Sequence, residues 1–113
     1  MAQTITTKSP LNVVRQATGR YLDTGTVAAY TFSDLGFKPR YVRVQNLVSG
    51  GAEGATLEWY EGMADDSAWM TAITGDGELI TSDGITVSDR GFIFGLETHT
   101  NVQNKQVSWL ALG

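Results

Sequence analysis

Tyr41-Val42-Arg43-Val44-Gln45-Asn46-Leu47 is the stretch that decides the fold. It alternates with period two: Val42 and Val44 face one way, and Tyr41, Arg43 and Gln45 the other. That is the signature of a half-buried β-strand. The flexible run Ser49-Gly50-Gly51-Ala52-Glu53-Gly54 follows, and Thr56-Leu57-Glu58-Trp59-Tyr60 returns from it. The two segments predict an antiparallel hairpin with a loop longer than the tightest turns.

Working outward, the same pattern recurs. Thr26 to Phe32, Ser67 to Ile73, Glu78 to Thr81, Ile85 to Ser88, Phe92 to Phe94 and Gln106 to Leu112 each read as short strands. They are punctuated by Thr18-Gly19, Thr24-Gly25, Ser33-Asp34-Leu35-Gly36, Gly75-Asp76-Gly77, Ser82-Asp83-Gly84 and Asp89-Arg90-Gly91 as turns. Leu11 to Ala17 is open between a helical turn and a strand, its β-branched pair favouring the strand. About eight short strands with no helical stripe predict an all-β fold, an antiparallel β-sandwich or jelly roll.

Composition agrees. The chain has 113 residues, the size of one domain. Charged residues are only 18%, below the usual quarter, so a packed domain fits better than disorder. Residues 1–18 read as an extended N-terminal arm and 19–113 as a single sandwich domain. The arm is polar, rich in Thr and closed early by Pro10, so it is expected to order only against a partner. Thr4, Ile5, Thr6, Lys8 and Pro10 are its candidate partner contacts.

Several chemistries are disfavoured at the outset. With no Cys there is no disulfide, thiolate metal site or cysteine nucleophile. A net charge of -4 argues against nucleic acid and against anionic membrane surfaces. No signal peptide or transmembrane run is recognisable, which predicts a soluble protein made in the cytosol. His99 is the only histidine and sits beside Glu97 and Thr100 in a polar loop; no G-x-S-x-G elbow surrounds any serine. The expectation is a protein that is not an enzyme and uses no cofactor or metal. Asp65, Asp66, Asp76, Glu78, Asp83 and Asp89 lie in the connections, where turn chemistry is favoured over calcium.

Trp59 and Tyr60 are neighbours on a strand and must face opposite ways. The plain reading puts Trp59 in the core and leaves Tyr60 at the surface, where an exposed aromatic can grip a sugar ring or another subunit. Val42, Val44, Phe92 and Trp109 are the expected core, Trp109 alternating with Val107 and Ala111 on one face of the closing strand.

Three runs carry a resemblance: Gly36-Phe-Lys-Pro-Arg-Tyr-Val-Arg-Val-Gln-Asn46, Glu58-Trp-Tyr-Glu-Gly-Met-Ala-Asp65 and Gly84-Ile-Thr-Val-Ser-Asp-Arg-Gly-Phe92. Together they resemble small structural proteins of tailed bacteriophages. That implies a non-enzymatic virion component made in the host cytoplasm, with a capsid decoration (cement) protein the first reading. Its partner would be the major capsid protein or another virion protein. A second resemblance is to H-type lectin domains, carried by Phe37, Pro39 and Val42, by Gly91-Phe92, and by Val107, Trp109, Ala111 and Gly113. Members of that family form trimeric antiparallel sandwiches that bind galactosamine-type sugars through loops between protomers. The matched residues are strand and core positions, and His99 falls roughly where that family's loop histidine lies. The resemblance implies, as the alternative, a carbohydrate-binding module of a tail fibre or baseplate. Few lysines guard the strand edges, so a homotrimer is expected.

Overall fold

The computed structural model describes residues 15–22, 29–46, 55–72, 75–95 and 106–113. Among them lie eight strands: β1 (Gln16–Leu22), β2 (Tyr30–Phe32), β3 (Tyr41–Asn46), β4 (Ala55–Tyr60), β5 (Ser67–Ala72), β6 (Gly77–Ser88), β7 (Gly91–Phe94) and β8 (Gln106–Leu112). All pair antiparallel in one sheet of order β1-β8-β3-β4-β5-β6-β7-β2. The all-β, antiparallel expectation is what forms. Its layers are two parts of a single sheet curled over on itself, a half-barrel, and not two separate sheets.

Chain connectivity explains the curl. β1 and β2 are consecutive in sequence but stand at opposite ends of the sheet. A flat eight-stranded sheet would hold its edges about 34 Å apart, at ~4.8 Å per strand spacing. Only seven residues separate Leu22 from Tyr30, a reach of about 29 Å when fully extended. The sheet must therefore bend until its ends approach. They meet through side chains: the rings of Tyr21 on β1 and Tyr30 on β2 have centroids 4.6 Å apart, and Phe32 lies 6.3 Å from Tyr21.

The concave side holds the core. Val42 and Val44 of β3, Leu57 and Trp59 of β4, Ala68 and Met70 of β5, Ile85 of β6, Phe92 and Phe94 of β7, and Val107 and Ala111 of β8 are buried. Each strand contributes alternate residues, as period two requires. Trp109 is partly buried against this cluster. Its ring meets Phe32 and Phe92 at centroid distances of 5.0 and 5.4 Å, tying β8 to β2 and β7 across the interior.

Three sequence expectations change. Thr18-Gly19 is not a turn: both residues lie within β1, paired with Leu110 and Trp109 of β8. β1 begins at Gln16, so residues 16–18 of the span expected to be an arm are strand, while 1–14 lie outside the described residues. Ser82-Asp83-Gly84 does not end a strand either. β6 runs on to Ser88 through a large bulge, where Ser67 pairs with Ile85 but the next residue, Ala68, pairs with Ile80. Asp83 takes a left-handed φ of 60° there. Gly84 lies so close to β5 that a Cβ would come within 2.6 Å of the Ser67 carbonyl carbon and oxygen. Turn-forming residues made a bulge because both flanking segments still find β5 as their partner. The Gly84 N–H donates to the Asp66 carbonyl, and the Asp66 N–H donates both to the Ile85 carbonyl and to Thr86 Oγ1.

Candidate functional site

The convex face of the sheet is where the exposed chemistry gathers. Strand register places Arg43 of β3 opposite Glu58 of β4, Glu58 opposite Trp69 of β5, and Trp69 opposite Leu79 of β6. Two residues along the strands, Tyr41 stands opposite Tyr60. All six side chains share one face, because all lie in one parity class of the ladder. Tyr60, Trp69 and Leu79 are 51%, 44% and 57% exposed. Large apolar side chains this open, next to one another, mark a contact surface more than lone exposed residues would.

Glu58 is the polar centre. The Tyr41 hydroxyl donates to Glu58 Oε2 at 2.7 Å, and the Tyr60 hydroxyl donates to the same oxygen at 3.2 Å. The two phenol rings lie against each other, centroids 5.1 Å apart. Burial raises the Tyr41 pKa well above the ordinary phenol range, and the hydrogen bond and negative charge of Glu58 push it further. The Glu58 charge likewise raises Tyr60. Both phenols thus stay protonated donors and orient the carboxylate. Arg43 is near enough for its positive charge to act on both tyrosines. Among the described residues it makes no ion pair; the one present joins Arg40 to Glu61 at 3.2 Å.

Trp69 is held in place by what is missing beside it. The space above Gly77 is filled by its benzo ring, and a Cβ built at Gly77 would lie 3.1 and 3.3 Å from Cε2 and Cη2 and closer still to Cζ2. The indole thus rests on a strand that offers it a seat, with nearly half its surface in solvent.

The other singled-out residues are placed as follows. Val42, Val44 and Phe92 are fully buried, and Trp109 is partly so. Trp59 is buried, its Nε1–H donating to the Ala64 carbonyl at 3.2 Å, while Tyr60 faces out. Thr4, Ile5, Thr6, Lys8, Pro10 and His99 lie outside the described residues. Among the described residues no three His, Asp or Glu side chains gather as metal ligands, and no helix is long and apolar enough to cross a membrane. Alternation alone singled out Tyr60. Glu58, Tyr41, Arg43 and Trp69 were not grouped, because strand register decides which residues face one another across a sheet.

No protein-family model matches the chain, and no significant match is found among curated proteins or solved structures.

Proposed function

We propose that this chain is a non-enzymatic virion structural protein of a tailed phage, of the capsid decoration type, and that it works by contact. The resemblance of 36–46, 58–65 and 84–92 to phage structural proteins motivates the virion setting. The observation that carries the contact role is the seam of the half-barrel. β1 and β2 touch through Tyr21 and Tyr30, yet neither has a second ladder partner among the described residues. Strand edges of this kind are covered in most natural proteins. Here a shell protein or another copy of the chain would cover them, and a closed trimer is the proposed assembly.

The test is to mix purified protein with mature heads of the phage that encodes it and follow co-sedimentation, head heat resistance and mass by light scattering. Saturable attachment with raised heat resistance supports the reading. A monomer that never pellets with heads would sink it.

A second reading has its own observation in its favour. A carboxylate held by two phenols beside a seated, exposed tryptophan suits a carbohydrate-binding module of a tail fibre or baseplate. Attachment to host-cell polysaccharide, with none to heads, would decide for it.

A further inference from the structure

We infer that the convex face formed by β3 to β6 is a sugar-binding platform. In it, Trp69 stacks on the apolar face of a neutral pyranose ring while Glu58 and Arg43 engage the ring hydroxyls. The inference rests on the glycan reading for its ligand class. It goes further in placing the site on the sheet face and not in the loops.

The chemistry selects the ligand. An indole face is negative at its centre, and a pyranose presents a face of weakly positive C–H groups rimmed by hydroxyls. Trp69 supplies the first surface, seated on Gly77 and open to solvent. The residue opposite it on β4 is Glu58, an ionisable acceptor whose Oε2 is already oriented by Tyr41 and Tyr60. Opposite Glu58 on β3 is Arg43, a planar donor with no ion pair among the described residues. The order across the sheet is therefore donor, acceptor, aromatic, on strands about 5 Å apart, with the indole leaning from β5 over Gly77 of β6.

A protein partner fits this order less well. A dry interface would bury Glu58 and Arg43 at the middle of the patch, and buried charges are costly unless fully paired. Sugar hydroxyls both donate and accept, so they satisfy the carboxylate and the guanidinium together and leave the rim hydrated. Tyr60, a ring two positions along β4 from Glu58, extends the platform for a second sugar unit.

The full chain should be titrated with soluble tetrasaccharides of glucose, galactose, mannose, xylose and N-acetylglucosamine. Saturation-transfer NMR and tryptophan fluorescence would read binding. At least one sugar should bind, with Trp69→Ala weakening it more than about tenfold, Trp69→Phe recovering part of the loss, and Glu58→Gln weakening it about tenfold. Asp89→Asn, in the turn between β6 and β7 and away from the platform, should change affinity less than about threefold. Folding of each variant is checked by its thermal midpoint, and Trp69→Phe serves if Trp69→Ala does not fold. Binding that is unchanged in folded Trp69 and Glu58 variants would overturn the platform while leaving the glycan reading standing. No binding of any tetrasaccharide at about 10 mM would overturn both. Loss of self-association or of head attachment in Trp69→Ala, with no sugar bound by the parent protein, would assign the face to a protein contact instead.

Discussion

Gly19 and Trp109 stand directly opposite each other in the β1–β8 ladder, and the indole occupies the space a side chain at position 19 would need. A Cβ there would lie 2.5 Å from Cζ2, 2.7 Å from Cε2 and 2.8 Å from Nε1. A large ring laid over a strand glycine compensates for the packing that the glycine lacks. The same device recurs on the convex face with Gly77 and Trp69, at a diagonal of the β5–β6 ladder. The first pair closes the core; the second presents a ring to solvent.

Gly19→Ala should push Trp109 out of its seat and destabilise the fold by about 1–3 kcal/mol, the usual cost of overpacking. Trp109→Ala should cost about 3 kcal/mol, the low end for a core aromatic because this one is only partly buried. Trp109→Phe should cost less than Trp109→Ala, since it keeps an aromatic ring against Phe32 and Phe92; the buried Nε1–H that both variants lose has no acceptor among the described residues. Urea midpoints measure all three. If Gly19→Ala left the midpoint unmoved, the ring would not be seated as described.

Tyr41 makes stability sensitive to alkali. Its folded pKa lies above the unfolded value of about 10. A raised folded pKa means that the stabilising contribution is complete below pH 10 and is lost as pH climbs from there toward the folded pKa. Urea midpoints should accordingly fall above pH 10, and less steeply in Tyr41→Phe. Spectrophotometric titration of the phenols should show late ionisation that moves earlier in Glu58→Gln. Tyr41 ionising like a free phenol in the native protein would disprove the contact.

Asp83 carries the bulge in a left-handed conformation. Asp83→Asn and Asp83→Gly should be tolerated, whereas Asp83→Val should destabilise by about 1–3 kcal/mol, because a β-branched residue resists φ near +60°. Thermal melts of the three variants supply the comparison; equal midpoints for Val and Gly would contradict it.

The Arg40–Glu61 pair lies at the surface, its side chains 40% and 54% exposed. Arg40→Ala should change stability by no more than about 0.5 kcal/mol, as exposed pairs do. A loss of several kcal/mol would mean that Arg40 does something beyond this contact.

Much of the fold was legible in local pattern. β3, β4, β5, β7 and β8 lie where alternation and flanking turn residues put them, since period two is a property of each strand by itself. Alternation also separated Trp59 from Tyr60, because adjacent strand residues must face opposite ways. The candidate site was less legible. Its outward residue Tyr60 was singled out, but Tyr41, Arg43, Glu58 and Trp69 come together only through the register of three strands.

By itself, then, the chain's sequence determined an all-β domain of about eight strands, and which residues of each strand share a face. Only the tertiary structure decided that these strands form one sheet bent into a half-barrel. The reason is that β1 and β2 must be joined by a segment too short to span a flat sheet. Tertiary structure also decided what the glycines mean. Thr18-Gly19 and Ser82-Asp83-Gly84 have turn chemistry locally, yet each became part of a strand. A distant residue took the space beside them, Trp109 against Gly19 and the Ser67 backbone against Gly84. Such close approaches depend on packing between segments far apart in sequence, and no local window contains both partners.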